Sequence, residues 1–217
     1  MGILTLDLAD EQATNLLGND LARALAPGDL VLLSGDLGAG KSTLARAIIR
    51  TLAQDPDLEV PSPTFTLVQA YDTPVPVAHF DLYRLGNPAE LDELGLDEAL
   101  QAGIALVEWP ERAGLALSGN TIRLSLQSKG GGREAIIDAG GANDRISRSL
   151  SLRQFLSASG FSAAWRRPFA GDASPRVYEL IAGRDGVDLV VMDQREAPAG
   201  PPVWKGKPYR EVAQTTN

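Results

Sequence analysis

The fold the sequence predicts is a three-layer α/β domain, helices on both faces of a mixed sheet, followed by a small C-terminal α+β appendage. Three observations carry that expectation. Residues 30–33, Leu-Val-Leu-Leu, are an unbroken apolar run of strand length, as expected of a strand buried on both faces. A glycine-rich segment and an amphipathic helical pattern follow at once, giving a strand, loop and helix in the order of an α/β unit. Further on, two strand-like segments are joined by Ser128-Lys-Gly-Gly-Gly-Arg133, whose spacing predicts a hairpin and hence antiparallel pairs beside the parallel ones.

Taken in order, Ile3-Leu-Thr-Leu-Asp-Leu8 alternates apolar and polar residues, as a half-exposed strand does. Asp10 caps a helical pattern with Ala13, Leu16, Leu17, Leu21 and Leu25 on one face, stopped by Pro27-Gly28. A second helix starts at Lys41 and runs to about Leu52, and residues 54–63 are a loop rich in Pro and Asp. Ser62-Pro-Thr-Phe-Thr66 is a turn feeding a strand. Residues 75–84 contain an extended run ending in Asp81, and Ile104-Ala-Leu-Val-Glu108 is an apolar strand ending in Glu108. Between them, residues 87–100 read as one helix with Leu91, Leu94 and Leu100 on its buried face. Strands at 121–127 and 134–139 form the hairpin.

Composition narrows the class. With 217 residues, the chain is long enough for one α/β domain and a smaller addition. Cysteine is absent, which excludes disulfides, thiolate metal sites and cysteine nucleophiles, and a single histidine leaves zinc almost no ligands. No segment reaches the roughly 18 apolar residues of a membrane helix, and Met1-Gly-Ile-Leu lacks the basic, then apolar, pattern of a secretory signal. A cytoplasmic protein without membrane contact is expected. Residues 1–143 carry nine basic and 20 acidic side chains, and residues 144–217 carry 11 and eight. An acidic body is a poor general binder of nucleic acid, because phosphate neutralisation supplies most of that affinity. If RNA is involved, a partner is expected to hold it.

The chemistry concentrates between residues 30 and 50. Gly35-x-x-x-x-Gly40-Lys41-Ser42 between strand and helix is the pattern of a phosphate-binding P-loop, which makes the domain P-loop NTPase-type. Its backbone N–H groups converge on phosphate only if the loop curls tightly, and the helix then points its positive end at the same anion. Gly35, Asp36, Leu37, Gly38, Ala39, Gly40, Lys41, Ser42 and Thr43 are the candidate nucleotide-binding stretch. Lys41 would reach the β- and γ-phosphates, and the Ser42 hydroxyl would ligate Mg²⁺.

Asp81 and Glu108 stand where open α/β sheets bind ligands, at C-terminal strand ends. Either fits the Walker B role of positioning Mg²⁺, and the other that of orienting or deprotonating the attacking water. Thr64 and Thr66 suit a nucleotide-sensing loop, although Thr is also simply a good strand former. Arg133 beside three glycines is a candidate contact for a phosphate or ribose, or else a solvated loop arginine. His79 reads first as a satisfied strand histidine rather than a catalyst.

No Asn is followed by Lys, so the Asn-Lys-x-Asp guanine signature is missing and ATP is favoured over a GTP-binding regulator. A small-molecule P-loop kinase is a further alternative. It would need an acceptor pocket and usually a basic lid, of which the acidic body gives little sign.

In order and spacing, the segments Gly35 to Thr43, Ser62 to Thr66, His79-Phe-Asp-Leu-Tyr-Arg84 and Val107-Glu-Trp-Pro-Glu111 resemble the TsaE (formerly YjeE) ATPases of bacterial tRNA modification, over residues 3–140. The resemblance implies an ATPase needed for N6-threonylcarbamoyladenosine at position 37 of tRNA, working on the TsaB and TsaD proteins rather than on tRNA alone. It implies that Lys41 and Ser42 are the phosphate and Mg²⁺ residues, Asp81 the Walker B-type acid and Glu108 a metal-associated catalytic acid. Thr14 and Arg133 match nucleotide-contacting places in that family, and Trp109 matches an aromatic beside the site. The family more often carries Thr where Ser42 stands, and either hydroxyl can bind Mg²⁺.

Beyond Gly141 this resemblance stops. Gly-Gly-Ala-Asn-Asp-Arg reads as a linker, giving expected domains at 1–143 and 144–217. A helix at 147–159, the Arg166 to Ser174 turn region, and strands at 176–182 and 187–193 resemble the opening of an aminoglycoside phosphotransferase-like sugar kinase. A working kinase needs a catalytic Asp in a loop such as H-x-D-x-x-x-x-N. No histidine follows His79, and no Asn lies between Asn143 and Asn217, so phosphate transfer by this part is not expected.

Overall fold

The computed structural model describes residues 2–87, 90–114, 121–169, 176–183, 186–194, 202–204 and 207–208. They fall into two compact units, Met1–Trp165 and Arg166–Asn217. The first unit holds β1 (Ile3–Leu8), α1 (Glu11–Ala22), β2 (Leu30–Ser34), α2 (Lys41–Ala53), β3 (Val68–Tyr71), β4 (Val77–Asp81), α3 (Glu90–Glu93), α4 (Leu96–Ala102), β5 (Ile104–Glu108), β6 (Thr121–Lys129), β7 (Gly132–Asp138) and α5 (Asn143–Ala158). Its strands form one sheet in the order β1-β7-β6-β2-β5-β4-β3.

The sheet is mixed, as the hairpin requires. β2 runs parallel to β5 on one side and β6 on the other, and β5 continues parallel to β4. β7 turns back antiparallel to β6 and also pairs with β1, while β3 is antiparallel to β4. The apolar run of β2 is explained by its place at the centre. Val31 and Leu33 join one core cluster, with Leu17, Leu44 and Ile48 from α1 and α2. Leu30 and Leu32 join another, with Phe80, Leu91 and Leu96. Both faces of the strand are dry, so no polar residue alternates within it.

Asp10 caps α1 by accepting a hydrogen bond from Ala13 N at 2.8 Å. α1 then lies against α2 so closely that a Cβ on Gly18 would come within 2.5 Å of Ala47 Cβ. The single helix expected over 87–100 is two, α3 and α4, with residues 88 and 89 outside the described set. Gly95 separates them at φ 74°, a left-handed backbone that ends one helix and opens the next.

The first unit extends past the boundary expected at 143. Ala142 in the presumed linker, and Ala139 just before it, are fully buried, and the glycines between them form a short 3₁₀ turn into α5. α5 is fastened by polar contacts at several points. Both Arg145 guanidinium ends bond the Asp29 carboxylate at 2.9 Å, and Asp29 is 1% exposed. Ser149 Oγ donates to Asp20 O at 2.7 Å, and Arg153 Nη2 to Asp20 Oδ1 at 2.8 Å. A buried carboxylate is tolerated only with such partners. The helix assigned to the appendage therefore belongs to the first unit.

The second unit contains an antiparallel sheet of β8 (Arg167–Phe169), β9 (Arg176–Ala182) and β10 (Asp188–Gln194), in the order β10-β9-β8, and a separate pair, β11 (Pro202–Trp204) with β12 (Lys207–Pro208). Among the described residues it holds strands and no helix, so the α+β expectation is met only in its β part. Arg166 Nε bonds Glu179 Oε2 at 2.6 Å, both side chains buried. The Gly171-Asp-Ala-Ser174 turn lies outside the described residues. Among the described residues, no helix is long and apolar enough to cross a membrane.

Candidate functional site

Strand order decides where the chemistry gathers. β2, β5 and β4 are parallel neighbours whose C-terminal ends carry Ser34, Glu108 and Asp81, and Asp81 is the register partner of Glu108. The loop from β2 to α2 passes over those ends, leaving a cleft of about 400 Å³. Lys41, Ser42, Thr64, Asp81, Glu108 and Arg133 all line it.

The loop's curl is written in two glycines. Gly35 sits at φ 136°, and a Cβ there would fall 2.3 Å from the Leu126 carbonyl oxygen. Gly40 sits at φ 103°, and a Cβ there would press on Arg133 Nε at 3.0 Å. Only glycine combines that backbone with so close an approach. Gly40 also begins α2 without a side-chain cap, and Lys41, Ser42 and Thr43 of the first turn line the cleft. An uncapped helix start facing a cleft is suited to an anion.

Lys41 is folded back on its own loop. Its Nζ donates to Gly35 O at 2.6 Å and Asp36 O at 2.9 Å, and lies 3.6 Å from the centre of the Trp109 ring. Burial pulls its ammonium below the ordinary lysine range, against the opposing pull of Glu108, Glu111, Asp81 and Asp36. Trp109 is held in place by a left-handed backbone, φ 58°, by its N–H on Leu33 O at 3.2 Å, and by the Tyr83 ring at 4.9 Å. A bulky residue at positive φ is strained, and such strain is commonly found at binding sites.

The two acids have separate supports. Asp81 Oδ2 accepts from Ser62 Oγ at 2.7 Å and Thr64 Oγ1 at 2.9 Å, and Oδ1 from Tyr83 N at 3.1 Å. Glu108 Oε2 accepts from Ser42 Oγ at 2.9 Å, and Oε1 lies 2.9 Å from His79 Nε2. The oxygen donors Ser42, Asp81 and Glu108 suit a hard cation that takes one or two carboxylates and completes its shell with phosphate and water. Among the described residues no group of three His, Cys, Asp or Glu side chains forms an all-protein metal cage.

Of the expected residues, Lys41, Ser42, Thr43, Leu37, Gly38, Gly40, Asp81, Glu108, Trp109 and Arg133 meet at the cleft. Gly35 and Asp36 contribute the carbonyls that hold Lys41, and Ala39 packs into the core. Thr14 is not brought to the cleft. It is fully buried in α1, and its hydroxyl donates to Asp10 O at 3.2 Å. Ser62 and Tyr83 line the cleft without having been singled out. Thr64 faces Asp81, whereas Thr66 is exposed. His79, buried in β4, has Glu108 as its side-chain partner, Nε2 to Oε1 at 2.9 Å.

The family described as "Threonylcarbamoyl adenosine biosynthesis protein TsaE" matches residues 8–135. Three proteins named "tRNA threonylcarbamoyladenosine biosynthesis protein TsaE" are similar to this chain. The one from Rickettsia felis is 46% identical over 107 residues, covering 49% of this chain and 62% of its own length. That from Synechocystis is 43% identical over 111 residues, covering 48% and 69%, and that from Streptomyces coelicolor 41% over 115, covering 51% and 76%. The crystal structure of Bacillus subtilus YdiB superposes with a TM-score of 0.58 at 26% identity, covering 70% of this chain and 97% of that one. A family match over more than half of the sequence, carrying the loop, both acids and the tryptophan built above, places the chain in the TsaE family of threonylcarbamoyl adenosine biosynthesis proteins.

Proposed function

We propose that the first unit is a Mg²⁺-dependent ATPase that serves N6-threonylcarbamoyladenosine formation at position 37 of tRNA in the cytoplasm, acting on TsaB- and TsaD-type proteins that hold the tRNA. The observation that carries this reading is the convergence of Lys41, Ser42, Asp81 and Glu108 on one cleft at the ends of parallel strands. Three segments far apart in sequence meet where a triphosphate would sit.

The curled loop and the first turn of α2 receive the phosphates through backbone N–H groups. Lys41 exchanges the Gly35 and Asp36 carbonyls for phosphate oxygens, moving a charge that is already desolvated. Arg133, laid across Gly40, adds a second cation at the same rim. Mg²⁺, held by the Ser42 hydroxyl and Asp81 with Glu108 adjacent, would supply charge neutralisation at the γ-phosphate. Glu108 orients the attacking water and takes its proton as the bond between the terminal phosphorus and the bridging oxygen breaks, leaving ADP and phosphate. Ser62 and Thr64 fix Asp81 and tie residues 62–66 to the contents of the cleft.

The second unit is, in this reading, an appended β-rich piece that resembles the start of a sugar kinase and does not transfer phosphate. The test of the whole is complementation of a strain lacking the modified adenosine, with tRNA nucleosides read by mass spectrometry. Restoration by the wild-type chain and not by Lys41→Ala is expected; restoration by both would refute it.

A further inference from the structure

We propose that His79 is a positioning residue for Glu108, fixing which carboxylate oxygen faces the cleft. This rests on the ATPase reading above. His79 and Asp81 are two residues apart on β4 and so project from the same face of the sheet, beside Glu108 on the next strand. The imidazole is 1% exposed, and its Nε2 lies 2.9 Å from Glu108 Oε1. Its other nitrogen, Nδ1, is buried and has no hydrogen-bond partner among the described residues. A proton on Nδ1 would be a buried donor with no acceptor, which costs more than a bare nitrogen there. The favoured tautomer therefore carries its proton on Nε2 and donates to Glu108.

The consequence follows from the two oxygens of Glu108. Oε2 accepts from Ser42 at 2.9 Å, but Ser42 is the hydroxyl that turns to the cation when the site fills. Once it turns, His79 is the contact that still holds the carboxylate's rotation. Packing alone does not call for histidine here, since Val77, two residues away on the same face of β4, and Leu106, its register partner on β5, are buried apolar side chains and an aliphatic residue would suit the position. What histidine adds is a donor on a rigid ring, behind the acid that handles water.

His79→Leu removes the donor, and His79→Gln returns an N–H at nearly the same reach. Expected for the full chain in single-turnover ATP hydrolysis is a fall in kcat of about 10- to 100-fold for His79→Leu, with KM and calorimetric ATP affinity within about twofold, and recovery of most of the rate in His79→Gln. An unchanged kcat in His79→Leu, or a loss confined to ATP affinity, would overturn the assignment. So would a Gln variant as slow as the Leu variant. Because His79 is the sole histidine, nitrogen NMR of the ring reads its tautomer directly in the unmutated chain, even if His79→Leu fails to fold. A proton on Nε2 is expected, and a proton found on Nδ1 alone would overturn the proposal. Absence of any hydrolysis by the wild-type chain would instead overturn the ATPase reading itself.

Discussion

Asp81 and Glu108 lie opposite each other on neighbouring parallel strands and draw on separate donors, Ser62 and Thr64 for the first, Ser42 and His79 for the second. Two carboxylates with separate supports are suited to separate work. Glu108→Gln keeps the shape but removes the base, so hydrolysis should fall by about 10²- to 10⁴-fold while ATP affinity stays within about threefold. Asp81→Asn should instead weaken the Mg²⁺ dependence of ATP binding. Calorimetry with and without Mg²⁺, beside a phosphate-release assay, separates them; hydrolysis lost in Asp81→Asn with binding intact would exchange the two roles.

Thr64→Val tests the support of Asp81. The change is close to isosteric and removes one of two hydroxyls from Asp81 Oδ2, leaving Ser62 in place. One hydrogen bond to a carboxylate is worth roughly 1–3 kcal/mol, and the lower end applies because a donor remains. Urea unfolding should show a loss of about 1 kcal/mol, and half-saturation by Mg²⁺ should move to higher concentration. An unshifted Mg²⁺ titration would limit Thr64 to a structural part.

The loop was legible because its pattern is local: Gly35, Gly40, Lys41 and Ser42 sit within eight positions of sequence, and the two glycines stand where the backbone shape calls for them. The acids were legible as strand ends. His79 was not legible as a partner of Glu108, because their meeting depends on which strand lies next to β4, and sequence spacing does not encode that order. Residues 140–145 misled for a similar reason. Glycine, Ala and Asn make a good linker by composition, yet Ala139 and Ala142 are small enough to be buried under α5, and the anchors of that helix, Asp20 and Asp29, lie more than a hundred residues upstream. Helix 87–100 failed at Gly95, where apolar periodicity continues through a residue that breaks the backbone.

The position of α5 gives a direct test. Cutting the chain after residue 142 removes Arg145 and Arg153 and leaves the buried carboxylates of Asp29 and Asp20 without these partners. Cutting after Trp165 keeps both pairs. The longer piece should unfold cooperatively near the temperature of the full chain's first unit, and the shorter should lose much of its stability or fail to fold. Arg145→Ala alone should cost about 2–3 kcal/mol, below the full range for a buried pair because Arg145 itself is 30% exposed. Equal melting of the two pieces would return the boundary to 143.

Gly18 tests the crossing of α1 and α2. Gly18→Ala places a methyl 2.5 Å from Ala47 Cβ, and the nearby atoms include the backbone of α2, which cannot swing away as a long side chain can. In an open helix the same change would stabilise by up to about 1 kcal/mol. Here overpacking should win, giving a net loss of about 1–3 kcal/mol by urea unfolding. A gain in stability would mean that the helices separate more easily than their contact implies.

Lys41 ties nucleotide binding to pH. Burial lowers its folded-state value below the ordinary 10.5, so without nucleotide the folded chain holds this proton less tightly than the unfolded chain does. The charged side chain therefore costs stability below its folded-state value, and the cost fades as pH rises through that value towards 10.5. A bound triphosphate reverses the preference, because anionic oxygens favour the ammonium. Binding should then take up protons as pH approaches the lowered value, and affinity should decline above it by at most about tenfold per pH unit. Calorimetry from about pH 8 up to the ordinary lysine value of 10.5, in buffers of different ionisation enthalpy, reads both effects. Affinity that is flat over that range, with no proton uptake, would show that the lysine does not meet the phosphates.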